Sequence, residues 1–369
     1  MRKVALVFPR YIQYINDNMD KELKRMLKNI KSGGFNYNGL HFEKKQNGNI
    51  ALAYIYTDFR DLKIPEGVNE INFHCAFHYT DLKSVKFPDS LRVVREGAFS
   101  DCLYLSKVKF GKGPVEIEER AFANCNSLET VEIENVSDVG SSAFGMCRNL
   151  KEVKFLHGLS CVKTDTFYEC TKLKRITLPS TIEVLERASL GFANEIFLAG
   201  NRIPDGILQA VEPNFRAKRD NILTVHISGK TVIIPKIIFP HMWSSVEEFL
   251  QKYNPEKDGN VVLYDKASFC DVRWEIALEG FPFCPKPETK EFLRNSFPEM
   301  IENTETEEDF LSLFCKFRDL HLLTIDLAEE ALFFAQKKSL VHAAAFVLET
   351  TRKFSRRNPS CIISTEFQL

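Results

Sequence analysis

A β-rich solenoid, made by stacking copies of one short unit, is the fold class this sequence predicts. A helix-and-hairpin cap precedes it and an α-helical domain follows it. Three observations carry the prediction. One set of residue types recurs about every 23 residues, short alternating apolar stretches accompany each recurrence, and beyond Met242 the alternation gives way to helical spacing.

The N-terminal cap spans residues 1–61. In NDNMDKELKRMLKNIK, residues 16–31, Met19, Leu23, Met26, Leu27 and Ile30 share one helical face, with Asn16 or Asp17 as cap and Gly33-Gly34 as stop. GLHFEKKQNGNIALAYIY then reads as a hairpin turning at Asn47-Gly48. The pair is suited to covering the first open face of a coil.

The array occupies residues 62–198. GAFSDCLYLSKVKF begins at Gly97, RAFANCNSLETVEI at Arg120, SAFGMCRNLKEVKF at Ser142 and DTFYECTKLKRITL at Asp165. Phe99, Phe122, Phe144 and Phe167 are separated by steps of 23, 22 and 23. A cysteine always stands three residues later, at Cys102, Cys125, Cys147 and Cys170. Leu105, Leu128, Leu150 and Leu173 follow, and then Val108, Val131, Val153 and Ile176. HCAFHYTDLKSVKF and ERASLGFANEIFL flank these as degraded copies: Ala76 takes the Phe position, with Phe77 one step late, and Leu190 takes it at the other end. Terminal repeats are atypical because one side lacks an identical neighbour, so the count is six copies of 22–23 residues.

Each copy holds two apolar segments. The Leu-x-x-Val-x-Phe segment suits a short strand with one buried face. A second pair precedes each Ala-Phe: Val68/Ile71, Leu91/Val94, Val115/Ile117, Val136/Val139, Leu159/Val162 and Ile182/Leu185. The Phe, Cys and Leu then belong to the turn between the two. A single copy cannot bury its own Phe. Stacking makes columns of like residues, each Phe contributing roughly 1.5–3 kcal/mol.

The pattern I-x-x-x-A-F-x-x-C-x-x-L-x-x-V-x-F resembles the BspA-like class of leucine-rich repeats of bacteria and some protists. The resemblance implies a right-handed solenoid with a binding role and no catalytic residues, since the motif is structural throughout. Many members of the class are secreted or surface-bound.

Residues 199–240 connect the array to the helical domain, and NILTVHISGKTVIIPKII within them reads as a hairpin turning at Ser228-Gly229. Residues 241–369 read as helical, interrupted by Pro282, Pro285 and Pro287. TETEEDFLSLFCKF has an acidic first turn suited to the helix dipole. In TIDLAEEALFFAQKKSLVHAAAFVLE, Ala328, Ala331, Leu332 and Ala335 form one stripe, and Leu340, Ala343, Ala344, Val347 and Leu348 another, around a turn at Gln336–Ser339. This stretch resembles an ankyrin-type helical hairpin. Trp243 and Trp274 fit the core of the domain better than a ligand anchor.

Composition agrees with the array. Of 369 residues 44% are apolar and 31 are Phe, as a Phe ladder requires. The net charge of −1 gives the whole chain no bulk attraction to nucleic acid or membrane, and no apolar run approaches a membrane span. VALVF near the N-terminus is shorter than the roughly 7–15 apolar residues of a signal sequence, so the expectation is a cytoplasmic protein, with a non-standard route to the cell surface as the alternative. The column cysteines would stand about 5 Å apart at strand spacing, within reach of a disulfide, but free, buried, Ala-like thiols are the expected state. Cys75, Cys161, Cys270, Cys284, Cys315 and Cys361 show no zinc-ligand spacing. No nucleophile elbow, metalloprotease helix, phosphate loop or dinucleotide fingerprint occurs, and the Gly111–Pro114 stretch is a repeat-connecting turn. His226 and His342 read as structural or surface residues. No cofactor, metal or catalytic residue is expected.

Charge singles out one surface. The outward positions of Leu-x-x-Val-x-Phe carry Lys83, Lys86, Lys107, Lys109, Lys151, Lys154, Lys174 and Arg175 against Glu129, Glu132 and Glu152. The opposite segment is mostly acidic, with Glu66, Glu70, Asp89, Glu96, Glu116, Glu118, Glu119, Asp138, Asp165, Glu183 and Glu186. The functional reading is a protein-interaction module whose eight bases dock an acidic partner. The plainer one is a solvated face whose lysines blunt edge pairing. Glycan or other ligand binding is an alternative disfavoured by Lys and Glu at the exposed strand positions. An enzyme with its site in the helical domain is the remoter one.

Overall fold

The computed structural model describes residues 21–30, 34–213 and 221–357. They fall into two compact units, residues 1–232 with 240–259, and residues 233–239 with 260–369.

Helix α1 runs through residues 21–28, with Leu23, Leu27 and Ile30 buried and Met26 half-buried. Met19, the candidate caps Asn16 and Asp17, and Gly33 lie outside the described residues. Strands β1 (Phe35–Tyr37), β2 (Leu40–Lys44) and β3 (Ile50–Ile55) follow as an antiparallel meander. The β2–β3 hairpin turns through Gly48 as expected, where φ is 85° and the Gly48 amide donates to the Lys45 carbonyl (3.0 Å). Strand β1 was not foreseen. Its turn is Asn38-Gly39, both residues with positive φ, the backbone of a tight two-residue hairpin.

The coil then winds through β4 (Asp61–Lys63), β5 (Glu70–Ile71), β6 (Ser84–Lys86), β7 (Val93–Val94), β8 (Lys107–Lys109), β9 (Val115–Ile117), β10 (Thr130–Val139), β11 (Glu152–His157), β12 (Cys161–Val162), β13 (Arg175–Leu178), β14 (Val184–Leu185) and β15 (Glu195–Leu198). Two strand faces result, both parallel. The Leu-x-x-Val-x-Phe segments form a three-stranded sheet β4-β6-β8 and a continuing ladder from the first half of β10 through β11, β13 and β15. On the other face β3 pairs β5, then β7, β9 and the second half of β10, and β12 pairs β14 beyond. Strand β10 serves both faces. Strand β16 (Ile222–Ile227) extends the first ladder beside β15, and β17 (Lys230–Pro235) leaves it through the expected turn at Ser228-Gly229, both with positive φ.

The core lies between the two faces and the turn. Phe99, Phe122, Phe144 and Phe167 are fully buried and stacked, with centroids 5.3, 5.4 and 5.7 Å apart and ring planes within 15°. All six apolar pairs of the second segment are buried. At the degraded first copy Ala76 is buried in the Phe position, and Phe77, one step late, is 41% exposed. The column cysteines have a second role that spacing alone does not reveal. Each thiol donates to a carbonyl one copy earlier: Cys102 to Ala76 (3.1 Å), Cys125 to Phe99 (3.3 Å), Cys147 to Phe122 (3.2 Å) and Cys170 to Phe144 (3.1 Å). All four are free thiols, and burial pushes Cys102 up to about 12 and Cys125 and Cys170 well above the ordinary range. Cys361 lies outside the described residues.

The turn is built from left-handed residues. One stands two positions before the Phe (Gly97, Arg120, Ser142, Asp165) and one two positions after it (Asp101, Asn124, Met146, Glu169). This conformation turns successive amides along the coil axis. Asp101 donates to Ala123 (2.8 Å), Asn124 to Gly145 (2.7 Å) and Met146 to Tyr168 (2.6 Å), so hydrogen bonding continues around the corner. Gly111 and Gly113 sit in the repeat-connecting turn because a Cβ there would meet the Pro88 and Asp89 carbonyl oxygens at 2.3 and 2.2 Å.

After a short helix α2 (Ile207–Ala210), α3 (Trp243–Lys252) and α4 (Pro255–Asp258) belong to the first unit. Trp243 is half-buried and its indole donates to Glu247 (3.2 Å). The second unit holds β18 (Val261–Val262), α5 (Cys270–Gly280), α6 (Pro287–Glu302), α7 (Glu307–Asp319), α8 (Ile325–Lys337) and α9 (Val341–Arg357). Its core is Leu293, Phe297, Phe310, Phe314, Phe317, Ala331, Ala335 and Val347, with Trp274 packed against it. The Thr306 side chain caps α7, accepting from the Asp309 amide (3.1 Å). One stripe residue is corrected. Leu348 is exposed, and Thr350 and Thr351 are buried, their hydroxyls donating to the carbonyls of Phe346 and Val347. The stripe from Ala343 through Val347 reaches the threonines at helical spacing, whereas Leu348 lies about 100° away from Val347.

Candidate binding face

Each Leu-x-x-Val-x-Phe strand buries its central residue, or half-buries it in the case of Val108, and turns both neighbours outward. Parallel register makes two outward rows. The first reads Asp61, Ser84 and Lys107, then Thr130, Glu152, Arg175, Glu195 and Thr224. The second reads Lys63, Lys86 and Lys109, then Glu132, Lys154, Thr177, Phe197 and His226. His226 stacks on Phe197, with centroids 4.6 Å apart.

The eight candidate bases all lie on this surface, but they do not form one field. From β10 onward bases meet acids. Lys151 pairs with Glu129 (2.8 Å), Lys154 with Glu152 (3.7 Å) and Glu132 (3.9 Å), and Arg175 with Glu195 (2.6 Å). The Lys151 ammonium holds the Glu129 carboxyl below the usual carboxylate range. On the β4-β6-β8 side, Lys83, Lys86, Lys107 and Lys109 are exposed, and among the described residues their ammonium groups meet no acid. Lys174 is exposed and has a partner of its own. The ladder is interrupted between β8 and β10, and a concavity of 530 Å³ opens there, lined by Val85, Lys86, Lys107, Val108, Lys109, Phe110, Glu132 and Glu134. Sequence reasoning placed Val108 in the buried column and passed over Phe110 and Glu134. The half-exposed Val108 breaks an otherwise buried column, and nothing in the local pattern marks it.

The opposite face is acidic, as the sequence suggests, and partly neutralised. Glu70 is buried and meets Arg95 at 2.9 Å, and Arg95 reaches Glu118 at 2.6 Å. Lys163 pairs with Asp138, and the Thr164 amide and hydroxyl donate to Glu186, each at 2.8 Å. Glu96, Glu116, Glu118, Glu119 and Asp138 line a 310 Å³ hollow with Lys163. Among the described residues no group of three or more His, Cys, Asp or Glu side chains is arranged to hold a metal ion. Within those residues no helix is long and apolar enough to cross a membrane. His342 is exposed, 3.5 Å from Glu307.

Exposed aromatic rings gather at the first copy, which strand-position reasoning did not foresee. Phe73, Phe77, Tyr54 and Tyr56 are all exposed. The His74 ring stacks between Phe73 (3.8 Å) and Phe77 (4.7 Å), and His78 packs edge-on to Phe77 at 4.0 Å.

Residues 70–199 match the family model of the BspA type leucine rich repeat region, in six copies. No curated protein matches the chain. Solved structures similar to it include a T. pallidum leucine rich repeat protein, with 18% identity over 41% of this chain and 85% of that one at a TM-score of 0.33. A leucine-rich repeat protein from Bacteroides capillosus has 23% identity over 28% and 88%, at 0.27. The pneumococcal vaccine antigen PcpA has 14% identity over 51% and 47%, at 0.39.

Proposed function

We propose, taking residues 70–199 as a BspA-type leucine-rich repeat region, that the coil is a non-enzymatic docking module whose β4-β6-β8 face receives an acidic protein segment. One observation carries this reading: among the described residues Lys83, Lys86, Lys107 and Lys109 form no ion pair, and the last three line a 530 Å³ concavity with Val85, Val108 and Phe110 that only Glu132 and Glu134 border as acids, while later bases of the same rows are paired. Lys86 and Lys109 are register partners on adjacent parallel strands, so like charges gather on this part of the face and repel. An anionic partner relieves that repulsion on the first half of the face. On the second half Glu129, Glu132, Glu152 and Glu195 already do so. The half-exposed Val108 and Phe110 supply apolar contact at the centre of the charged rim.

Repeat arrays of this kind are typically non-enzymatic, and the opposed thiol and carbonyl groups of the Cys column suit a reducing compartment. A glycan platform is the second reading, supported by the exposed rings at the first copy. It is the weaker one, because one face of Phe73 and one of Phe77 are taken up by stacking on His74.

The test compares the full chain with a variant in which Lys83, Lys86, Lys107 and Lys109 are changed to Glu, using capture from the native cell lysate followed by association rates with the captured protein. The variant is expected to melt as the parent does, since exposed changes cost about 0.5 kcal/mol or less each, and to associate at least tenfold more slowly at low salt. A variant that folds normally and captures the same partner at the parent rate moves the docking site off this face.

A further inference from the structure

We propose that the cleft between β8 and β10 seats one apolar side chain, leucine or phenylalanine, that stands beside carboxylates in the docking partner. Assigning it to an acidic segment rests on the docking function proposed for the β4-β6-β8 face; the cleft's affinity for an apolar group does not.

Two residues of otherwise buried columns are uncovered here. Val108 is half-exposed, whereas Val85, Val131, Val153 and Ile176 in the same column are buried. Phe110 is half-exposed, whereas Phe87, Ile133, Phe155 and Leu178 are buried. What opens the cleft lies in the next copy, not in the pattern around Val108. The step from Leu128 to Val139 is one residue shorter than the steps from Leu105 to Ile117 and from Leu150 to Val162. Strand β10 therefore runs unbroken from one face to the other, while β8 leads into the Gly111–Pro114 turn, and the ladder that joins the other neighbours on this face is missing between the two. Main-chain groups are freed as well. The Lys107 amide donates to the Lys83 carbonyl (3.1 Å) and the Lys109 carbonyl accepts from Phe87 (2.8 Å), so both residues turn their main chain toward β6. In a parallel ladder the residue between them faces the other way, and β8 is the last strand of its sheet, so the Val108 amide and carbonyl face the cleft with no strand to meet.

The walls define the occupant. Lys86, Lys107 and Lys109 line the β8 side of the 530 Å³ cleft, and Glu132 and Glu134 the β10 side. Glu132 is 3.9 Å from Lys154, and among the described residues Glu134 pairs with no base. Carboxylates of an occupant are therefore drawn to the β8 wall and repelled from the β10 wall. The Phe110 ring is fixed by Phe87 and Phe122, with centroids 5.1 and 6.0 Å away, so the apolar lining is preformed. Exposed lysines alone select little, because ion pairs in water are weak. A side chain laid on Val108 and Phe110 takes hydrocarbon out of water on both partners. It also displaces water beside the ammonium groups, which strengthens their attraction for carboxylates next to that side chain. The apolar residue and its acidic neighbours are thus read together, an apolar anchor inside a charged rim.

The experiment uses the full chain, calorimetry at low salt and three peptides: a Glu/Ser peptide with one central Leu, its counterpart with Ala at that position, and a Lys/Ser peptide with the same Leu. The Glu/Leu peptide is expected to bind at least tenfold more tightly than either of the others. Val108→Thr, which exchanges a methyl for a hydroxyl, should weaken the Glu/Leu peptide at least threefold and leave the Glu/Ala peptide unchanged. Lys109→Gln should weaken both Glu peptides, and Glu134→Gln should tighten both. If the two Glu peptides bind alike and respond to Lys109→Gln but not to Val108→Thr, the apolar seat is refuted and the docking face stands. If the Glu/Leu and Lys/Leu peptides bind alike and both respond to Val108→Thr, the seat stands and the acidic docking reading falls. Should Val108→Thr melt early, the Leu-to-Ala difference in the parent chain still decides. No binding of any peptide to a parent chain of normal melting temperature overturns both.

Discussion

The first copy of the repeat and the interior copies share a period but not a task. In the interior, Phe122 lies between Phe99 and Phe144, Cys125 donates to a carbonyl one copy earlier, and the outward bases from β10 onward are paired with acids. In the first copy Ala76 takes the Phe slot, Tyr79 takes the Cys slot, Phe77 faces solvent, and among the described residues Lys83 and Lys86 pair with no acid. The difference follows from neighbours. An interior copy is contacted from both sides by near-identical units, so any change of size in a column is felt twice. The first copy has such a neighbour on one side only and meets the cap on the other. Its core demands are looser, and its exposed side chains are correspondingly free to serve recognition.

The sharpest break of this comparison is a pair of truncations. Phe122→Ala is expected to destabilise the protein by about 3–5 kcal/mol, the cost of removing a wholly buried ring from a column that cannot close around the gap. Phe77→Ala, which removes a ring stacked on exposed His74 and edge-on to exposed His78, is expected to cost less than about 1 kcal/mol. Urea denaturation of the two variants measures both. Equal losses would mean that the first copy is braced as the interior is, and the comparison would fail.

The columns were legible because each is one residue type repeated at one period, and burial asks for the same size and apolarity in every copy. The division of the strand face was not. It depends on which acid in one copy stands beside which base in the next, so it needs the inter-strand register as well as the identity of the bases. The left-handed turn residues were equally hidden. Gly97, Arg120, Ser142 and Asp165 share a backbone conformation and no side-chain chemistry, because the hydrogen bonds that impose it run between main-chain groups of neighbouring copies. Strand β1 could have been read from Asn38-Gly39, the same signal that located the next hairpin. Leu348 was misplaced because apolarity was followed where helical phase decides.

The thiol column offers a second, smaller separation. Burial raises Cys102 to about 12 in the folded protein, against about 8.5 for an unperturbed thiol. Above the unfolded value the unfolded chain releases a proton that the folded chain keeps, so the unfolded state gains. The contribution of this thiol is complete below about pH 8.5 and disappears as pH climbs toward 12. Between pH 8 and pH 10 the loss is about 2 kcal/mol for such a thiol. Cys102→Ala is therefore expected to narrow the difference in unfolding free energy between those two pH values by about that amount. An unchanged difference would show that Cys102 is solvated in the folded state, and that its column is not a dry interior set apart from the first copy.

The smallest expected effect tests the turns. Met146 holds φ of 60° and its side chain is 41% exposed, so it occupies a glycine-like backbone position with little packing to lose. A non-glycine residue in this conformation costs about 1–2 kcal/mol. Replacing it with glycine removes that cost but widens the unfolded ensemble, which takes back roughly 0.4–1 kcal/mol. The net expectation for Met146→Gly is a stabilisation of about 0.5 kcal/mol, small but opposite in sign to the usual effect of glycine. The second copy, where it meets His74 of the first, supplies the counterpart. Gly97, which donates to the Glu119 carbonyl at 3.0 Å, already occupies a left-handed position, and a Cβ there would stand 2.4 Å from the His74 ring. Gly97→Ala is expected to destabilise by at least about 1 kcal/mol, because backbone strain and the ring contact add. Thermal unfolding of the two variants beside the parent decides the matter. If both lower the midpoint, Met146 is held by contacts beyond its backbone, and the interior turns are packed as tightly as the core they enclose.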